Sequence, residues 1–168
     1  GSRVFNHYGV GGIFSWYFPR QQNLIDSRNL NDEIFRKYDS LDYIRGNYPE
    51  IVKNLRIDYA MYYVPVMTEH PEVLDKILVS YFSKNENDWK LVYWDDNSFI
   101  FVKNNSAFAD IISKYEYKFL TPYNFLNRPQ MLINEMKKGN ETLKNEMKRK
   151  LSEDPKGEII TLMSRSIR

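Results

Sequence analysis

Apolar and polar positions along the chain alternate between the short period of strands and the longer period of helices. Arg3 to Tyr8, with Val4 and Phe5, predicts a short strand, which Gly9-Val10-Gly11-Gly12 breaks. Ile13 to Phe18 is an apolar stretch stopped by Pro19, and after a glycine-rich break it predicts a short helix. Asn23-Leu24-Ile25-Asp26 predicts a second short strand, followed by a turn over Ser27 to Leu30. Asn31 is placed to cap a helix from Asp32 to Tyr38, with acids in the first turn where the helix dipole favours them. Tyr48-Pro49-Glu50 opens another helix through Leu55, with proline early, where its missing N–H costs little. Tyr59 to Val64, ended by Pro65, is a continuous apolar run that predicts a central strand, as buried parallel strands have no polar face. Val73, Leu74, Ile77, Leu78 and Tyr81 carry helical spacing within Glu69 to Ser83. Trp89 to Trp94 and Ser98 to Lys103 predict two strands joined by the turn Asp95-Asp96-Asn97.

That order of elements predicts an α/β layer fold: a Rossmann-like, mostly parallel sheet with an antiparallel hairpin at one edge. The character changes near Ala107. Leu132, Met136, Leu143, Met147, Leu151, Ile159, Ile160, Leu162 and Met163 sit among dense charges. They predict two or three amphipathic helices, broken near Gly139-Asn140 and at Pro155-Lys156-Gly157. The expected organisation is an α/β domain over 3–106 and a C-terminal α-helical tail over 107–168 packed on the same unit. The tail resembles a tetratricopeptide-type helical hairpin, in a single copy.

Composition narrows the classes. Of 168 residues, 42% are apolar and 15% aromatic, which excludes a disordered chain. With 24 Lys+Arg against 22 Asp+Glu the net charge is +2, so no electrostatic argument points to nucleic acid. Mean hydropathy is −0.60 and no apolar run reaches the length of a membrane span. The absence of cysteine excludes disulfides, thiolate metal sites and cysteine nucleophiles, and leaves the compartment open. The two histidines, His7 and His70, lie far apart, which argues against a histidine zinc site. Neither a metal nor a cofactor is expected. Gly1-Ser2 reads as a remnant of tag cleavage, so the chain is expected to be a piece of something longer.

Few motifs carry chemistry. Gly9-x-Gly11 after a strand suggests part of a dinucleotide fingerprint, but Phe14 stands where the third glycine belongs and Asp26 follows Gly9 by only 17 residues. The competing reading makes Gly9, Gly11 and Gly12 a structural turn packed closely under Trp16. Asp26 and Arg28, at the carboxyl end of a predicted strand, would join Asn6 and Tyr8 in a polar cluster suited to hydroxyl-rich or anionic ligands. The competing reading is an internal ion pair tying two loops together. Asp95-Asp96 reads as turn rather than metal pair. His7, which could serve as a base, lacks a neighbouring nucleophile and reads as a packing residue. Lys144 to Lys150, interleaved with acids, reads as a solvated helix face with i,i+4 pairs. Asn104-Asn105-Ser106 and Asn140-Glu141-Thr142 match the glycosylation acceptor pattern, which matters only for a secreted source.

Asn6-His7-Tyr8-Gly9-Val10-Gly11-Gly12-Ile13-Phe14-Ser15-Trp16, followed by Leu24-Ile25-Asp26-Ser27-Arg28, resembles the start of a known kind of domain. The domain it resembles is the extracytoplasmic C-terminal domain of bacterial polytopic membrane proteins similar to GT-C glycosyltransferases, relatives of protein mannosyltransferases and oligosaccharyltransferases. Ile57 to Tyr63 resembles that family's Val-Asp-Tyr strand, and Asp88 to Asp96 with Phe99 to Lys103 its terminal hairpin. The likeness runs collinearly over about the first hundred residues. His7 departs from the family's usual Asp, and Ser27 from its Gly. The resemblance implies that the catalytic acid lies outside this domain. It implies a non-catalytic domain on the extracytoplasmic face of a bacterial membrane, docking an acceptor or glycan beside its own transmembrane part. Asn6, Tyr8, Asp26 and Arg28 would form the ligand site. The alternative is a protein–protein interaction module working through the helical tail. A nucleotide-binding enzyme ranks third.

Overall fold

The computed structural model describes residues 3–26, 28 and 31–167. It is a mixed α/β fold built on four strands: β1 (Val4–Asn6), β2 (Tyr59–Tyr63), β3 (Trp89–Trp94) and β4 (Ser98–Lys103). The sheet order is β1-β2-β4-β3. The tight turn at 95–97 forms as its residues dictate: Asp95 accepts from the Asn97 N–H at 2.8 Å and from the Tyr93 hydroxyl at 2.7 Å.

The expectation of a mostly parallel, Rossmann-like sheet is corrected here. Only β1 and β2 run parallel. The hairpin inserts β4, not β3, beside β2, and does so antiparallel. Asn23 to Asp26 is not a strand. The Asn6 side chain takes up its backbone groups instead, accepting from the Leu24 N–H at 2.7 Å and donating to the Ile25 carbonyl at 2.6 Å. One amide side chain thus stands in for a ladder. The turn expected over Ser27 to Leu30 lies, except for Arg28, outside the described residues.

Helices cover the sheet. α1 (Gly11–Tyr17) follows β1, preceded by a single 3₁₀ turn at Tyr8–Val10. α2 (Asp32–Asp42) begins where Asn31 accepts from the Glu33 and Ile34 N–H groups, each at 3.0 Å. α3 (Tyr48–Leu55) starts at its early proline and ends in a left-handed Arg56. The helix expected over Glu69 to Ser83 is split. Pro71–Lys76 is a 3₁₀ segment, Ile77 is extended, and α4 (Leu78–Lys84) follows. Leu74, Ile77 and Leu78 are all buried, so the periodicity marks burial although the backbone breaks.

Phe5, Ala60, Phe101 and Leu91 stand in register across the four strands and form one face of the core. Phe82 of α4 packs on it, with ring centroids 4.5 Å from Trp89 and 5.2 Å from Phe101.

The tail holds five short helices among the described residues, rather than two or three. They are α5 (Ala109–Tyr115), α6 (Pro122–Asn127), α7 (Pro129–Lys137), α8 (Glu141–Glu153) and α9 (Glu158–Ser166). Breaks fall at Gly139-Asn140 and Pro155 to Gly157, as expected. Leu120, Leu132, Leu143, Ile160 and Met163 join the same hydrophobic cluster as Phe5 and Phe101.

The reading of Lys144 to Lys150 as a solvated face holds only in part. Lys144 and Lys148 are exposed, but Glu146 is 4% and Lys150 1% exposed. The Glu146 carboxylate accepts from the backbone N–H groups of Lys118, Phe119 and Leu120 at 2.7, 3.0 and 2.7 Å. Arg149 donates to the carbonyls of Lys114, Tyr115 and Glu116 and lies 4.0 Å over the Tyr117 ring. Lys150 donates to the Trp94 carbonyl and sits 3.3 Å from Asp154. The hairpin turn reciprocates: Asp96 accepts from the Glu158 and Ile159 N–H groups at 2.8 and 2.9 Å, capping α9 from 62 residues away.

Replacing Glu146 strands three backbone donors inside the protein. The Glu146→Ala variant is expected to lose about 3 kcal/mol of unfolding free energy, and Glu146→Gln, which keeps one acceptor oxygen, less than that. Urea denaturation of the three proteins checks the order.

Candidate functional site

Asn6 and Tyr8 lie where β1 ends, and Asp26 and Arg28 follow the 24–25 backbone that Asn6 holds. Asn6 is fully buried, and both ends of its amide are engaged by the 24–25 backbone. It holds the loop and does not reach outward. Beyond it, the His7 carbonyl accepts from the Val10 N–H at 3.0 Å as the chain turns into α1.

Gly11 explains why the turn lies so close to the next segment. A Cβ there would come within 2.1 Å of the Ile25 carbonyl oxygen and 2.7 Å of the Asp26 Cα. Only glycine lets α1 start against that backbone. The expectation that Gly9 and Gly12 share this need is corrected: a Cβ at Gly9 would meet the His7 ring no closer than 3.3 Å, and one at Gly12 would meet nothing. Asn23 completes the joint, donating to Ser15 Oγ at 2.7 Å and to the Gly11 carbonyl at 3.2 Å.

Trp16 does not pack beneath this site. It is 82% exposed. The inner face of α1 is Gly11, Phe14 and Ser15, so helical geometry turns Ile13, Trp16 and Tyr17 outward.

Asp26 and Arg28 form a local fork rather than a tie between loops. Asp26 Oδ1 accepts from the Arg28 backbone N–H and from Nε, both at 2.9 Å, and Oδ2 pairs with Nη2. The guanidinium beside it holds the Asp26 carboxyl well below the usual carboxylate range. The Arg28 side chain is 68% exposed, that of Asp26 only 10%. Asp26 therefore aims a guanidinium at solvent, with N–H donors left over for an anionic or hydroxyl-bearing ligand. Tyr8 lies at the other end of the 3₁₀ turn. Its backbone N–H donates to the Tyr38 hydroxyl at 3.1 Å, and its ring meets Phe35 edge to face at 6.3 Å.

Behind the turn lies a buried cluster that the sequence reading passed over. Phe5 stacks between Tyr38 and Tyr62, at 5.8 and 5.6 Å. Asp42, 7% exposed, accepts from the Tyr62 hydroxyl and is also bonded to the Tyr38 side chain. Burial pushes the Asp42 carboxyl up to about 6, with the Tyr38 hydroxyl pulling it down and Asp39 raising it. Burial, and then the Asp42 charge, drive the Tyr38 hydroxyl far above its ordinary value. His7 lies against the Tyr62 ring at 5.6 Å, accepts from the Gly9 N–H through Nδ1, and is pushed down by burial. A neutral His7 therefore carries its proton on Nε2. The available signal was helical spacing: Tyr38, Leu41 and Asp42 share the inner face of α2, so Asp42 falls on the buried side.

Among the described residues no group of three or more His, Asp or Glu side chains is placed to hold a metal ion. No helix among them is long and apolar enough to cross a membrane. No protein-family model matches the chain, and no curated protein or solved structure matches it either.

Gly11→Ala is expected to cost about 3 kcal/mol, because the backbone of Ile25 must move. Gly12→Ala is expected to stabilise by up to about 1 kcal/mol through helix propensity. Thermal melts of the two variants separate a required glycine from an incidental one. Asp42 makes a pH prediction. Its folded pKa is raised, so its contribution is fully present below about pH 4 and is lost as pH rises through about 6. Asp42→Asn is therefore expected to keep about 3 kcal/mol that the parent loses between about pH 4 and pH 7. Asp26 has the opposite sign, since its depressed pKa contributes stability above about pH 4 that is lost on acidification. Urea midpoints across pH for parent and variant isolate the Asp42 component.

Proposed function

We propose that this chain is a non-catalytic extracytoplasmic domain of a glycosyltransferase-like bacterial membrane protein. Its task is to dock an acceptor or glycan at the membrane surface. The observation that carries the reading is the Asp26–Arg28 fork. A guanidinium held in fixed orientation by a largely covered carboxylate stands exposed beside the turn after β1. Such a group recognises carboxylate, phosphate or hydroxyl pairs with defined geometry. It lies within the two segments whose residues resemble the glycosyltransferase pattern, Asn6 to Trp16 and Leu24 to Arg28. Tyr8 and Arg28 would meet the ligand, and Asn6, Gly11 and Asn23 would hold their loop. His7, where the pattern has Asp, is pushed down by burial and packed among tyrosines, so it supplies no carboxylate at that position.

An interaction module using the tail is the alternative. Its free surface would be the outer side of α9, where Leu162 is 56% exposed. The buried anchors Glu146 and Lys150 already commit the inner side of α8 to the rest of the chain.

Titration of isotopically labelled protein with short oligosaccharides and with acceptor peptides tests the docking. Amide shifts are expected at Tyr8, Gly9 and Arg28, and an Asp26→Ala, Arg28→Ala double variant should weaken binding about tenfold or more. Silence at those amides up to about 10 mM ligand would sink the docking role. Several apolar segments of about 20 residues encoded before Arg3 are expected for the membrane protein, and a reading frame without them would remove the glycosyltransferase setting.

A further inference from the structure

Among the described residues, the three most exposed large apolar side chains lie on one short helix. Ile13 is 63%, Trp16 82% and Tyr17 72% exposed, and Phe18, just past the helix end, is 54% exposed. The first three recur at i, i+3 and i+4, so they form a stripe rather than scattered exceptions. Gly12, just before the stripe, has open space where a side chain would be. An apolar surface of this kind marks a contact with another phase or another molecule.

Charge distinguishes the partner. No Asp or Glu precedes Asp26 in the chain. Over that stretch the charged side chains are Arg3 and Arg20, and the fold brings both to the wall of one cleft of about 590 Å³, together with Asn23 and Leu24. Neither Arg side chain forms an ion pair among the described residues. Asp58 accepts from the Arg3 backbone N–H at 2.9 Å, while Asp26 is closed on Arg28 and Glu33 on Lys37. Trp and Tyr at the end of a helix, with Arg20 three residues further on, form the composition that settles at the boundary between lipid headgroups and acyl chains.

We propose that α1 and the Arg3–Arg20 cleft form a seat for an anionic phospholipid surface. The Ile13, Trp16, Tyr17 and Phe18 side chains enter the interfacial layer, while the two arginines meet headgroup phosphates. The inference deepens the membrane setting of the reading above and rests on it. It adds a contact made by the domain itself, which needs no transmembrane segment. It also places the Asp26–Arg28 fork next to the lipid surface, because Asn23 and Gly11 tie α1 to the segment that carries the fork.

The chain contains its own reporter. Of its three tryptophans, Trp89 and Trp94 are 4% and 0% exposed, so only Trp16 can change its surroundings on binding. The probe is a vesicle of phosphatidylcholine with about 30 mol% phosphatidylglycerol, compared with pure phosphatidylcholine. The expected result is a blue shift of tryptophan emission and co-sedimentation with the anionic vesicles, weaker by about tenfold or more on neutral ones. A Trp16→Ser, Tyr17→Ser variant should lose binding while its circular dichroism and melting curve stay those of the parent, because neither side chain is packed. An Arg3→Gln, Arg20→Gln variant should bind both vesicle types alike.

Unchanged emission and no sedimentation at about 1 mM lipid would overturn the proposal. So would concentration-dependent self-association that the Trp16→Ser, Tyr17→Ser variant abolishes, since a second copy would then cover the stripe. Neither result bears on the oligosaccharide titration, so failure of the lipid seat and failure of glycan docking are read separately.

Discussion

The architecture depends on a helix that reads backbone rather than side chains. The segment from Lys114 to Leu120 crosses from α5 toward α6 without a strand partner for most of its length. Its orphaned groups would be costly if left unmet. α8 meets them from both ends. Glu146 accepts three N–H groups, and one turn later Arg149 donates to three carbonyls. The two side chains, at i and i+3, point the same way and carry opposite charge. The match is therefore directional, and exchanging Glu146 with Arg149 would set acceptor against acceptor and donor against donor. Burial pushes the Glu146 carboxyl up, and the three N–H groups pull it back only in part. Tyr117, between the two sets, donates its backbone N–H to the Leu91 carbonyl and its hydroxyl to Glu153.

From that clamp the rest follows in order. Lys150, one position beyond Arg149, reaches the Trp94 carbonyl at the end of β3. Asp96, in the turn just after it, caps α9. The hairpin thus both receives a helix and supplies one with its cap. Since β4 of the same hairpin pairs with β2, the contact extends through the sheet to β1 and the turn at Gly11. The expected division near residue 106 rests on a change of composition. The buried charges, however, bind the two parts through specific geometry rather than through apolar contact alone.

Legibility in the sequence followed the range of the interaction. Asn31, Pro49 and the Asp95 to Asn97 turn act within a few residues, and the elements they predict are present. The strands Trp89 to Trp94 and Ser98 to Lys103 have the bounds that alternation assigns. What was misread depends on distant partners. Lys144 to Lys150 has the look of a solvated run, because nothing local shows that Glu146 faces three N–H groups 26 to 28 residues earlier. Asn23 to Asp26 has strand composition, but a single side chain, Asn6, claims its backbone. The parallel majority was inferred from the alternation of helix and strand, and the placement of β4 beside β2 is not a local property. At the site, the turn and the Asp26–Arg28 pair were visible, while the outward face of Trp16 was not. An apolar run after glycines reads as core, and only the close approach of Gly11 to Ile25 decides which side of α1 is inside.

That approach carries a consequence for function. Gly11, Phe14 and Ser15 face inward, with Gly11 and Ser15 against the Asn23 to Asp26 segment, and the other face of α1 is left to water. A polar stripe there would have cost nothing in packing. The chain instead places Ile13, Trp16 and Tyr17 at those positions and no acid anywhere before Asp26. Core packing does not account for side chains that touch no core. Their residue types and their company with Arg3 and Arg20 are what an interfacial contact requires. The same glycine that fixes the inner face of α1 therefore fixes which residues are offered outward, and it ties them to the segment that carries Asp26 and Arg28.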